Sequence, residues 1–192
     1  MDMKLVGSKT EKNLLAAFAG ESQARNRYTY FASVAKKAGY EQIAAIFLET
    51  SDNEKEHAKR FFNFLDGGLV EFTASFPAGR IGTTSENLKA AAEGEHEEWT
   101  KLYPGYAELA RQEGFTEIAS AFSYITQVEI KHELRYLKLL DNIKQGTVFK
   151  KENVAIWKCR NCGYHHESST ALEQCPACLH PKSFFELLVV NY

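Results

Sequence analysis

The chain has 192 residues, 44% of them apolar and 25% charged, with a formal net charge of −2. That length holds one or two domains with a real core, and the charge argues against a nucleic-acid surface as the main business. The stretch Met1-Asp2-Met3-Lys4-Leu5 has no apolar leader run, and no apolar run approaches 18 residues, so neither export nor a membrane span is expected.

Ser8-Lys9-Thr10-Glu11 has capping-box spacing. The Ser8 side chain is expected to bond the Glu11 N–H, and Glu11 to reach back. A helix should run from there to Gly39, with Leu14, Ala17, Phe18, Ala24, Tyr28, Phe31 and Ala35 on its apolar stripe. Glu21 lies within that stripe. A second helix is expected from about Glu41 to Asp66, ending at Gly67-Gly68. Its stripe is Ile43, Ile46, Phe47, Thr50, Ala58, Phe61 and Leu65, and it contains Glu54 and His57.

Residues 69–84 hold Pro77, Gly79 and Gly82 and lose the period. At roughly 3.3 Å per residue, sixteen residues reach about 50 Å. That suits a crossover between parallel helices of a bundle. A third helix should run from Ser85 to Gly114 and kink at Pro104, which cannot bond to Thr100. Leu88, Ala91, Ala92, Trp99, Leu102, Tyr106 and Leu109 form its stripe, with Glu95 inside and Glu98 on the edge. A fourth is expected over Thr116–Lys144, with Glu129 and His132 on a stripe of Ile118, Phe122, Ile125, Val128, Tyr136, Leu139 and Ile143. Four long amphipathic helices with one long connection predict a mainly α, ferritin-like four-helix bundle. Residues 146–156 read as a linker. From Trp157 the composition turns to Cys, Gly, Pro and aromatics without helical period, so a second, small domain is expected. The boundary is placed between residues 1–146 and 147–192.

Glutamate is a good helix former and usually faces water. Three Glu-x-x-His pairs occur: Glu54/His57, Glu93/His96 and Glu129/His132. On a helix, i and i+3 are neighbours, but the count alone says little. The helix face separates them. The first and third pairs fall on apolar stripes, whereas Glu93 falls on the polar side with Glu97. Glu56 faces away from the stripe. Depth agrees: Glu21, Glu54, Glu95 and Glu129 lie about ten to fourteen residues into their helices, within about 6 Å of one another along the bundle. Buried carboxylates at one level repel, and unpaired ones cost several kcal/mol each. Two cations offset this, with Glu21, Glu54, Glu95, Glu98, Glu129, His57 and His132 as ligands. One Glu from each of two helices and Glu-x-x-His from the other two is a di-iron carboxylate pattern; O/N ligation also admits Mn or Zn. Tyr28 and Tyr103 lie near the Glu stripe. Packing is the expected role of each, with hydrogen bonding to the ligands as the alternative.

All four cysteines lie in the last 34 residues, as Cys159-x-x-Cys162 and Cys175-x-x-Cys178. Paired C-x-x-C units predict a tetrahedral S₄ site for Zn or a single Fe. Trp157, Tyr164, Phe184 and Phe185 are expected to pack around it. His165, His166 and His180 are expected at the surface.

Over nearly its whole length the chain resembles the rubrerythrin family. Glu21, Glu54-x-x-His57, Glu95-x-x-Glu98 and Glu129-x-x-His132, followed by Cys159/Cys162/Cys175/Cys178, carry the resemblance, and the domain order matches. The resemblance implies a di-iron centre that reduces hydrogen peroxide to water, fed by a rubredoxin-like Fe(Cys)₄ site, in a cytoplasmic enzyme. It implies that one iron exchanges Glu98 for His57 on reduction, with Glu54 bridging both irons. It further implies an electron-donor protein or NAD(P)H-linked reductase and a head-to-tail homodimer; from charge and hydropathy, no nucleic-acid or membrane partner is expected. Glu129 to Ile143 is about 21 Å of helix, and a ten-residue linker reaches about 33 Å, enough to cross to a partner. Two other readings are ferritin-like iron oxidation and storage, and a bundle with a structural zinc ribbon.

Overall fold

The computed structural model describes residues 4–191; Met1–Met3, read above for the absence of an apolar leader, lie outside them. Helix α1 spans Lys9–Lys37. The Ser8 hydroxyl accepts from the Glu11 N–H at 3.0 Å. The other half of the expected box shifts by one residue: the Glu11 carboxylate accepts from the Gly7 N–H at 2.7 Å, because the Ser8 N–H already donates to the Leu5 carbonyl. Gly39, at φ 80, ends α1. Its N–H bonds the Lys36 carbonyl and the Tyr40 N–H bonds that of Ala35, a Schellman closure that needs the left-handed residue.

Helix α2 spans Glu41–Phe62, four residues short of the expected Asp66. Phe64 and Leu65 bond carbonyls three residues back, so the end tightens into a 3₁₀-like turn. The expected third helix is three pieces. Helix α3 (Thr84–Glu97) opens with a complete capping box between Thr83 and Glu86. A π-helical turn follows over Glu98–Leu102, then α4 over Tyr103–Gln112. Pro104 therefore does not kink a continuous α-helix. It sits in the first turn of α4, where a missing N–H goes unnoticed, and the wider turn before it absorbs the disruption. Helix α5 spans Thr116–Lys144, as expected.

Two apolar clusters fix the helix directions. One joins the C-terminal half of α1 (Tyr28, Phe31), the N-terminal half of α2 (Ile43, Phe47), the start of α3 (Leu88) and the end of α5 (Tyr136). The other joins the start of α1 (Leu14), the end of α2 (Phe61), α4 (Tyr103) and the start of α5 (Phe122). Helices α2 and α3 thus run parallel, and the segment between them is the expected crossover. Among the described residues, no helix is long and apolar enough to cross a membrane.

The segment read as a linker is mostly strand: β1 covers Lys150–Cys159. It pairs antiparallel with β2 (His165–Thr170) and β3 (Phe185–Leu187) in the order β2-β1-β3. Lys-Lys-Glu-Asn hid the strand because its charges face water and the pairing is irregular between Lys150 and Ala155. The free connection is only residues 145–149. Trp157 and Phe185 form the small core, with Tyr164 and Phe184 packed against it, and Trp157 Nε1 donates to the Ser168 carbonyl at 2.9 Å. This unit sits against the α1–α2 turn, where Phe149 stacks on Tyr40 at 6.2 Å.

Phe61 is fully buried and stacks on Phe122 at 4.7 Å. Phe61→Ala is expected to cost about 3–5 kcal/mol, lowering the thermal midpoint by about 10 °C, as calorimetry would read.

Candidate metal centre

Between the two apolar clusters lies one polar layer. Glu21, Glu54, Glu95, Glu129 and His132 are all buried, and the stripe of each helix turns them inward. They form two groups: Glu21, Glu54, His57 and Glu129, and Glu54, Glu95, Glu129 and His132, with ligand atoms within 4.8 Å in each. The two are near-symmetric. His57 Nδ1 stands 2.9 Å from Glu54 Oε2, 3.0 Å from Glu129 Oε1 and 3.8 Å from Glu21 Oε1. His132 Nδ1 stands 2.9 Å from Glu129 Oε2, 3.1 Å from Glu54 Oε1 and 3.8 Å from Glu95 Oε2. Glu54 and Glu129 give one oxygen to each side.

These atoms fit metals better than one another. Glu21 Oε2, Glu54 Oε1, Glu95 Oε2, both oxygens of Glu129 and His132 Nδ1 are buried without a hydrogen-bond partner. Orphaned acceptors converging on one point are costly. Ligands about 2.1 Å from one ion stand about 3.0 Å apart at right angles and about 3.4 Å apart in a tetrahedron, within the range of the spacings seen. Without cations the layer holds protons instead. Burial, then Glu54 and Glu129, pushes Glu21 well above the carboxylate range. Burial and Glu54 push Glu95 up to about 8. For the imidazoles burial acts downward but the carboxylates win: Glu129 and Glu54 hold His57 up to about 10, and with Glu95 they hold His132 up to about 12.

A pH dependence follows. Glu21, Glu95, His57 and His132 bind more protons folded than unfolded, so each stabilises at low pH and that stability fades as pH rises toward the folded value. Glu54, held down to about 2 by the imidazoles against burial, has the opposite sign but acts only below about pH 5. The metal-free protein is therefore expected to lose stability between pH 6 and 8, by at least about 1.4 kcal/mol. Loaded protein loses far less. Urea midpoints at the two pH values would show the difference.

Glu98 lies outside both groups. It is half-buried on the π turn and lines a cavity of about 830 Å³ with Arg27, Tyr103 and Tyr106, under residues 71–77. Burial and Glu95 raise its carboxyl well above the usual range. Tyr28 and Tyr103 correct the expectation of packing alone: both are buried in the core, and their hydroxyls also donate to Glu95 and Glu21 respectively. The rejected pair behaves as expected. Glu93 ion-pairs with Lys89 at the surface, exposed His96 bonds Glu133 at 3.0 Å, and Glu56 is exposed beside Lys59.

Two residues escaped the periodicity. Asn53 Oδ1 lies 3.3 Å from His132 Nε2, and Glu133 accepts from Trp99 Nε1, tying α5 to the π turn. Neither lies on an apolar stripe, so spacing offered no signal for them.

The cysteines also converge, with all four sulfurs within 4.8 Å. Cys159–Cys178 is 3.7 Å and Cys162–Cys175 3.6 Å, far beyond a disulfide. Four sulfurs about 2.3 Å from one ion stand about 3.8 Å apart. A backbone N–H from His180 holds the Cys178 thiol down to about 6. His165 is exposed, whereas His166 and His180 are half-buried, and His180 packs on Phe184 at 4.5 Å.

This combination defines a class: a ferritin-like di-iron carboxylate bundle joined to a rubredoxin-like single-iron unit. The chain matches the Rubrerythrin family over residues 12–140 and the rubrerythrin rubredoxin-like domain over residues 157–186. It is 62% identical over 192 residues to rubrerythrin of Porphyromonas gingivalis, covering 100% of this chain and 96% of that one. It is 57% identical over 188 residues to rubrerythrin of Nitratidesulfovibrio vulgaris, covering 98% of each. The solved structure of fully reduced, all-ferrous nigerythrin superposes with a TM-score of 0.63 at 31% identity, covering 96% of this chain and 91% of that one. An open-pore ferritin from Archaeoglobus fulgidus, at 18% identity and a TM-score of 0.61, shares the fold. The chain belongs to the rubrerythrin family, and its ligand groups match two irons in the bundle and one in the cysteine site.

Proposed function

We propose that the protein is a peroxidase that reduces hydrogen peroxide to water in defence against oxidative stress. The observation that carries this reading is the pair of carboxylates, Glu54 and Glu129, shared between two ligand groups in a chain that also holds a four-cysteine site. When bound, the bundle irons supply the two electrons that peroxide reduction consumes, and the cysteine iron replaces them singly. The reaction takes two electrons and two protons per peroxide and yields two waters.

The residues divide the work. Glu54 and Glu129 would each offer one oxygen to each of two metals. Glu21 with His57, and Glu95 with His132, would complete the two sides. Tyr28 and Tyr103 keep protons at Glu95 and Glu21, because burial, followed by those carboxylates, holds each phenol protonated. Glu98 would be the outer ligand that exchanges with His57; this reading is supported by the position of Glu98 outside both ligand groups while His57 lies inside one. The cavity beside Glu98 gives a small polar substrate a route in.

We assign the boundary between the functional units to residues 146 and 147. The bundle layer and its own cysteine unit stand apart, since Tyr40 to Glu54 is about 21 Å of helix. A head-to-tail homodimer brings the partner's cysteine unit nearer. An NAD(P)H-linked reductase in the cytoplasm supplies the electrons. Sedimentation tests the dimer: a strict monomer with full activity ends that part.

Stopped-flow reoxidation of fully reduced protein tests the reaction itself. Peroxide is expected to oxidise the bundle irons much faster than O₂. Faster reaction with O₂ and growth of a mineral core would assign iron storage instead. A colourless metal-loaded cysteine site would assign a zinc ribbon.

A further inference from the structure

The two histidines face equivalent carboxylates but are held differently behind. His132 Nδ1 points at Glu54 and Glu129, and its Nε2 meets Asn53 Oδ1. That oxygen can only accept, so Nε2 carries a proton, and a metal that displaces the other ring proton meets the Nδ1 lone pair. His57 Nδ1 points at the same two carboxylates, and no hydrogen bond to its Nε2 occurs among the described residues. Its side chain is also the more open, at 13% exposure against 5%. Asn53 is on α2, one residue before Glu54, yet it reaches across to α5 rather than along its own helix to His57.

We propose that Asn53 is a positioning residue that fixes the tautomer and ring angle of His132 and so makes it the permanent imidazole of the centre. The inference rests on the metal-centre reading and adds the residue that makes the two halves unequal. A ligand imidazole whose rear N–H is bound has one tautomer and one orientation, and losing that partner commonly weakens metal binding about 10- to 100-fold. His57 has no such bond behind it, so its ring is held through Nδ1 alone. The asymmetry gives a physical reason why His57, rather than His132, is the imidazole that exchanges with Glu98.

The test uses full-length protein depleted of bundle metal and titrated with Co²⁺, whose visible bands report ligation without any turnover. Asn53→Leu removes the acceptor at similar volume. It is expected to weaken the tighter Co²⁺ step about 10- to 100-fold and to alter its bands. Asn53→Asp keeps an acceptor and is expected to bind within about threefold of the parent. The cysteine-site spectrum and the thermal midpoint check that each variant folds. Asn53→Leu binding Co²⁺ like the parent would overturn the proposal, as would Asn53→Asp losing as much as Asn53→Leu. Failure of the peroxidase reading leaves this titration unchanged, so the two are judged separately.

Discussion

A Glu129→Ala protein is expected to lose both bundle irons while keeping the cysteine-bound one. Glu129 has no substitute, because its two oxygens stand 3.0 Å from His57 Nδ1 and 2.9 Å from His132 Nδ1. Removing it takes a ligand from each group at once. A terminal ligand such as Glu95 belongs to one group only, so Glu95→Ala should leave the other metal partly held. Losing the metal pair removes several kcal/mol of barrier lowering, at least about 1000-fold in rate. The fold should survive, because the layer lies between two apolar clusters that Glu129 does not join, and its removal relieves like-charge repulsion. Iron analysis beside circular dichroism checks both halves. Retention of both bundle irons would show that Glu129 is not shared.

On the peroxidase reading, Cys178→Ser is expected to separate peroxide reduction at the bundle from the resupply of its electrons. The Cys178 thiol is held down to about 6 by the His180 N–H. Its loss opens the four-sulfur group and bleaches the thiolate-to-iron colour. Bundle irons that are already reduced should still react once with peroxide at near the parent rate, since their ligand groups contain none of the four cysteines. Steady turnover should fall about 100-fold or more, because nothing replaces the electrons. Single-turnover stopped flow and a coupled assay measure the two rates. Steady turnover near the parent value would mean that electrons enter the bundle by another path.

The helix faces were readable because burial repeats with the period of the backbone. Glu54, His57, Glu129 and His132 lie on apolar stripes, whereas Glu93, which lies outside its stripe, is exposed beside Lys89. The same rule could not see Asn53 or Glu133. Both sit beside the stripe and act across helices, and no period along one helix reports what the next one offers. The π turn was hidden for a related reason. Pro104 announces a disruption, but whether the chain kinks or adds a residue depends on what packs around it, here Trp99 held by Glu133 on α5. The strand at Lys150 was missed because its exposed charges carry no alternation.

By itself the sequence determined the kinds of ligand, the helix that carries each, the level at which they meet and the separate four-cysteine unit. These follow from residue type, from the rise of 1.5 Å per residue and from the face each position must occupy. Tertiary structure alone decided that Glu129 stands between both groups beside Glu54, that Glu98 stands outside while His57 stands in, and that Tyr28 and Tyr103 aim their hydroxyls at Glu95 and Glu21. Those relations turn on ångström differences in helix rotation and offset. Such offsets are set by how side chains such as Phe47, Phe61, Phe122 and Tyr136 interlock, which no single helix specifies.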